Sequence, residues 1–244
     1  MKAQFFNKPL NYTLNIEGEA WEQGSTLNGE LALSYTTADK VDFTKVGVHL
    51  CYCQNKKLKA KDVSGIKIIE SIHLVNEKEK LPFNFSLDSS CPITDKTGSL
   101  QLFCGNITDP FNCGIVELKI IPTRVISQFI EVFELFYRFK FKTLKNKNTY
   151  IESQVIPPAT KEWAKIQKIN LEMKMKDNDL IVNCLFKIKT LSFENSITST
   201  KDEKREIRLS IPGKDHSLYG AVNQEGIKKH ISHALEQVKL KSLI

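Results

Sequence analysis

No run in the 244-residue chain is long and apolar enough to span a bilayer as a helix. The longest apolar cluster covers 125–137, and Ser127, Gln128, Glu131 and Glu134 interrupt it. The opening MKAQFFNKPLNYTL lacks the apolar run of an export signal, so a cytoplasmic protein is expected. The motifs GxSxG, GxxxxGK[ST], HExxH and GxGxxG are all missing. Their absence removes the common hydrolase, phosphate-loop, zinc-peptidase and dinucleotide readings. The six cysteines, Cys51, Cys53, Cys91, Cys104, Cys113 and Cys184, form no CxxC pair. Without export they are expected to be reduced. There is no internal repeat. Nothing in the chain looks like an active site, so an enzyme, a cofactor or a metal is not expected.

What is present is alternation. Tyr12, Leu14 and Ile16 alternate with polar residues, as do Leu31, Leu33 and Tyr35, then Val46, Val48, Leu50 and Tyr52. Ile68, Ile72 and Leu74 suggest a fourth strand, and Leu81, Phe83, Phe85 and Leu87 a fifth. Leu100 and Leu102 lead a sixth, and 116–121 reads as a seventh. Residues 55–61, NKKLKAK, read as a basic connection between strands. Seven short alternating strands in roughly 120 residues are the pattern of a β-sandwich. Cys104 sits on the apolar face of one strand, and Cys184 on that of a later one. Thiols there behave as small hydrophobes. Cys51 and Cys53 share a strand face; plain packing is the simpler reading of them, ahead of a soft-metal or redox pair.

Pro122 removes a ladder donor and marks a joint. Val125, Ile126, Phe129, Ile130, Phe133, Phe136 and Tyr137 then recur at three- and four-residue spacing, which predicts a helix. That helix is expected to pack in or beside the joint. Phe139 and Phe141 return to alternation, and 151–158 reads as extended. Ile169–Met175 and Leu180–Ile188 flank Asp177-Asn178-Asp179, which predicts a hairpin rather than a calcium loop. Residues 194–206 read as a polar connection, and Ile207, Leu209 and Ile211 as a late strand ending at Pro212. A last helix carries Ile227, Ile231, Ala234, Leu235 and Val238 on one face, with Lys228, Lys229, Lys239 and Lys241 beside them. It is expected to cover its own sheet; a membrane surface or a partner groove is the alternative. Three regions follow: 1–121, 122–212, and a tail over 213–244.

Charge is uneven. Residues 1–115 hold 12 Lys/Arg and 13 Asp/Glu, and the remainder 23 and 15. Any acidic partner therefore belongs to the second half. The candidate binding row is Arg138, Lys140, Lys142, Lys145 and Lys147, the first three on one strand face and the last two in the following turn. Such a row meets an acidic protein segment or an anionic membrane surface, or is a solvated face guarding a strand edge. Phe139 and Phe141 point the other way and cannot stack on bases, which counts against nucleic acid. Assembly with a second copy is left open. His230, His233 and Glu236, at i, i+3 and i+6, are an incomplete start of a metal site; surface or packing histidines are the simpler reading.

Two segments carry a family resemblance. Trp21-Glu22-Gln23-Gly24-Ser25-Thr26-Leu27-Asn28-Gly29-Glu30-Leu31 resembles the aromatic-x-Pro-Gly-Glu-x-Val-x-Gly-x-Val turn and strand of arrestin-like proteins. Leu81-Pro82-Phe83-Asn84-Phe85-Ser86-Leu87, with Pro92 beyond, is similar to their apolar-Pro-Phe-x-Phe-x-Leu-Pro segment. Gln23, Ser25 and Asp88 depart from the pattern. The helix and paired strands of the second half resemble the bacterial sporulation-control subgroup, over roughly residues 9–193. The resemblance implies a mainly β chain. It would comprise two tandem immunoglobulin-like β-sandwich domains, a short helix near the junction and a C-terminal helix. It also implies an adaptor, scaffold or regulator that docks onto proteins rather than an enzyme. None of the matched residues is catalytic.

Overall fold

The alternating segments become strands because each has one face to bury and a partner for its backbone groups. A computed structural model describes residues 1–7, 10–35, 46–73, 80–194 and 197–240. Leu74 and Lys241 lie outside the described residues. The chain divides into two units, Met1–Ile121 and Pro122–Ile244.

The first unit holds β1 (Lys2–Asn7), β2 (Leu10–Ile16), β3 (Trp21–Glu22), β4 (Thr26–Tyr35) and β5 (Gly47–Gln54). A short helix α1 (Asn55–Lys59) follows where the sequence reads as a basic connection. Then come β6 (Ile66–His73), β7 (Lys80–Ser86), β8 (Gly98–Gly105), β9 (Gly114–Glu117) and β10 (Ile120–Ile121). One four-stranded sheet runs β1-β2-β4-β7 and another β6-β5-β8-β9. Between them lie Leu14, Leu27, Leu31, Val48, Leu50, Phe85, Leu100 and Leu102, each nearly or fully buried, with Cys104. This is the sandwich. The expected seventh strand is two pieces. Val116, Leu118 and Ile120 keep one buried face, but β9 pairs with β8 whereas β10 runs parallel to β3.

Gly24 has φ +82 in the turn after Trp21. A Cβ on Gly29 would clash with the Phe83 ring and lie 2.5 Å from the Asn15 carbonyl oxygen. The two arrestin-like segments are therefore one packing unit: β4 pairs β7 with Gly29 opposite Phe83. Gln23, standing where the family pattern has proline, is buried and donates from Nε2 to the Cys91 carbonyl. Asp88 accepts from the Ser90 amide and hydroxyl, both at 2.6 Å, which closes its own turn. On the outer face of the second sheet, Cys51, Cys53 and Phe103 form a small separate core with Leu58 of α1 against it. Burial pushes the Cys51 thiol up to about 12 and Cys53 to about 11, so both are packing groups.

The second unit starts with α2 (Arg124–Tyr137), whose Thr123 cap accepts from the Ile126 amide at 3.4 Å. Strands β11 (Lys140–Phe141), β12 (Lys145–Lys147), β13 (Tyr150–Ile156), β14 (Ile166–Lys176), β15 (Asp179–Glu194) and β16 (Ile197–Ile211) make one six-stranded antiparallel sheet. Residues 197–206, read as a polar connection, are the first two-thirds of β16. A continuous antiparallel register with β15, from Glu194↔Ile197 to Leu180↔Ile211, satisfies their backbone groups without an apolar face. After α3 (Gly213–His216) come a two-stranded ribbon of β17 (Ser217–Leu218) and β18 (Ala221–Val222), then α4 (Gln224–Leu240).

One sheet face is apolar: Ile151 and Val155, Ile169 and Leu171, Val182, Cys184 and Phe186 are buried. α4 packs against α2 and β16 and buries Ile227, Ile231, Ala234, Leu235 and Val238. Tyr137 Oη lies 2.5 Å from Ser232 Oγ and donates to the Lys228 carbonyl at 3.3 Å, tying α2 to α4. The helix of the 213–244 tail is thus part of the core of the second unit. Phe133 is the hub of a ring cluster, with centroids 5.1 Å from Phe129, 5.6 Å from Phe139 and 6.0 Å from Phe141.

Candidate functional site

The structure divides the five basic residues of the candidate row. Arg138 is not in a strand. It is the left-handed C-cap of α2, with φ 57, and its side chain is exposed. The alternation of 138–142 therefore does not persist, because the helix needs a positive-φ residue to stop on. Lys140 lies in β11 opposite Ile156 of β13. Lys145 and Lys147 are in strand β12 rather than a turn, opposite Glu152 and Tyr150 of β13.

Lys147 is already engaged. Its Nζ is 2.7 Å from Glu172 and 3.6 Å from Glu152. Its hydrogen bond holds the Glu172 carboxyl below the usual carboxylate range. Lys142 and Lys145 are different. Both are exposed, neither has an ion-pair partner among the described residues, and both line a depression of about 470 Å³. Thr143, Glu152, Ser153, Gln154, Lys168 and Asn170 complete it.

The sheet assembles this place. The Lys142 amide donates to the Gln154 carbonyl at 2.9 Å, and Ser153 Oγ donates to the Lys142 carbonyl at 3.0 Å. Gln154 stands opposite Asn170, so β14 brings Lys168 alongside. Three ammonium groups and two carboxamides thus surround one opening. Its acids, Glu152 and the neighbouring Glu172, face Lys147. The geometry suits a compact acidic group. Lys168 is 23 residues beyond Lys145, and the β12–β13 and β13–β14 pairings together bring them near.

A second cleft, of about 760 Å³, lies along α3 and α4. A Cβ on Gly226 would clash with the Asp215 carbonyl oxygen, so only glycine lets α3 come this close. One turn on, His230 Nε2 is 2.9 Å from Asp215 Oδ2, and this hydrogen bond holds the Asp215 carboxyl below its usual range. His233 instead meets Gln237. His230, His233 and Glu236 all line this cleft. Among the described residues, no group of three or more His, Cys, Asp or Glu is placed to hold a metal ion. Asp215 was not singled out in the sequence, because its 15-residue separation from His230 follows no local period. Among the described residues no helix is long and apolar enough to cross a membrane.

No protein-family model and no curated protein matches the chain. Among solved structures, the fold is similar to that of Spo0M, the sporulation control protein from Bacillus subtilis. The TM-score is 0.59 at 12% identity, over 94% of this chain and 98% of that one. A DUF4785 family protein from Legionella pneumophila aligns at a TM-score of only 0.29 and 10% identity, over 84% of this chain and 48% of that one. The first similarity establishes a mainly β, arrestin-like fold.

Proposed function

We propose that this arrestin-like chain is a non-enzymatic regulatory adaptor. It holds an acidic segment of a protein partner against the open face of the second-unit sheet. The depression around Lys142, Lys145 and Lys168 carries the reading. The opposite sheet face is buried, so the solvent face is available for binding. The similarity to a sporulation control protein supports a regulatory role at the level of fold. Each exposed ammonium–carboxylate contact contributes about 0.2–1 kcal/mol, so three together change affinity roughly 3- to 100-fold.

A labelled hexaglutamate peptide tests this directly, titrated against wild type and K142E/K145E/K168E in a salt series. The wild type binds, more weakly as salt rises, and the triple variant does not. Equal binding by both, or none by the wild type at low salt, refutes the site. Capture of native proteins that bind wild type and not the triple variant then identifies the partner.

A further inference from the structure

Among the described residues of the second unit, five large apolar side chains stand in solvent. Leu135 is 64% exposed, Phe136 45%, Ile156 41%, Leu218 53% and Tyr219 100%. Their elements adjoin. Leu135 and Phe136 are in the last turn of α2. Ile156 stands opposite Lys140 of β11, just beyond that helix. Leu218 and Tyr219 form the tip of the β17–β18 ribbon, and β18 packs on α2.

The tip is conformationally odd. Leu218 pairs with Ala221, leaving Tyr219 and Gly220 as a two-residue turn, with φ 52 and 78. Positive φ at both positions is what a type I′ turn requires, and Asn-Gly or Asp-Gly meets that need with least strain. A bulky ring at positive φ is an outlier that local stability does not explain. Nothing lies within 4 Å of where a Gly220 Cβ would be, so the tip projects. Tyr219 has no partner among the described residues. Cations neighbour some of these groups: Arg138 follows the last turn of α2, and Lys140 stands opposite Ile156. Arg138 and Lys140 are exposed without an ion-pair partner among the described residues, and Lys228 Nζ lies 4.5 Å over the Phe136 ring.

We propose that this end of the second unit rests on an anionic lipid bilayer. Leu218 and Tyr219 enter the headgroup layer, and Arg138 and Lys140 meet the lipid phosphates. A projecting aromatic needs a soft, deformable acceptor, and a tyrosine ring with its polar hydroxyl suits the bilayer interface. Neighbouring cations add attraction to anionic lipid. The residues differ from those of the peptide-binding depression, so either proposal stands or fails without the other.

The test is Tyr219→Trp in the full chain, mixed with vesicles of phosphatidylcholine alone or with 30% phosphatidylserine, an anionic fraction of roughly physiological order. On the anionic vesicles the emission of this variant shifts to the blue and is quenched by spin-labelled lipid, while Trp21 and Trp163 stay buried. L218S/Y219S lowers vesicle partition at least about tenfold. R138E/K140E abolishes the preference for phosphatidylserine. Both double variants still melt in a single cooperative transition, since all four side chains are exposed. Unshifted emission from the Tyr219→Trp variant overturns the proposal, as does equal partition of wild type and L218S/Y219S. A blue shift that grows with protein concentration and without vesicles also overturns it, and assigns the tip to a second copy of the chain.

Discussion

Removing the Phe133 ring tests whether the aromatic cluster holds the second unit together. Phe133 is 2% exposed. Its ring meets Phe139 and Phe141 edge-on, at interplanar angles of 82° and 78°, and lies tilted against Phe129 and Tyr137. Phe139 in turn packs 5.2 Å from Trp163. Truncating a buried phenylalanine to alanine costs about 3–5 kcal/mol, and edge-on ring pairs add to the loss from area alone. Phe133→Ala therefore destabilises by about 4 kcal/mol. For a unit spanning Pro122–Ile244, each kcal/mol moves the midpoint by about 3–5 °C, so the melting temperature falls by roughly 12–20 °C. Phe133→Leu fills more of the space and costs about a third as much. Hydrogen exchange localises the effect. Amides of α2 and α4 lose protection, because Tyr137 holds both helices through Ser232 and Lys228, while amides of β4 and β8 keep theirs. A melting temperature within about 2 °C of wild type would place Phe133 outside the energetic core and refute the reasoning.

Two further outcomes concern the first unit. Gly29→Ala puts a methyl against the Phe83 ring and the Asn15 carbonyl. Because the second obstacle is backbone, the variant loses about 2 kcal/mol, read as a lower urea midpoint. His49 is fully buried, with Nδ1 2.9 Å from Ser71 Oγ and Nε2 3.2 Å from the Gly105 carbonyl. Burial, with His73 beside it, holds its pKa below the ordinary 6.5. The unfolded chain takes up a proton as pH falls through 6.5, and the folded chain resists it. The contribution is therefore present above 6.5 and lost progressively below. His49→Gln flattens the dependence of the urea midpoint between about pH 7 and pH 5; an unchanged slope contradicts the assignment.

The sandwich was legible in the sequence because half-buried antiparallel strands write their facing into alternation. Leu14, Leu31 and Phe85 show it in β2, β4 and β7. Gly24 and Gly29 were legible through turn and close-approach chemistry. Elements whose reasons lie elsewhere in the chain were hidden. The first half of β16 is polar and is a strand only because β15 offers it a ladder. Strand β1 was missed, since Phe6 of its Phe5-Phe6 pair is 80% exposed and blurs the pattern. The five basic residues were legible as charge, but their partition was not. Nothing local announces that Arg138 is a helix cap, or that Lys147 is held by Glu172. Lys168 and Asp215 became visible only when pairing and packing brought distant segments together.

The parallel pairing of β10 with β3 sets an order of events during synthesis. Trp21 stands opposite Ile120, so its backbone partner is made about 100 residues later. At about 5–20 residues per second, the Trp21 segment waits on the order of 5–20 s on the ribosome for it. Over that interval the nascent sheets are open at this seam, and only emergence of the last two residues of the first unit closes it.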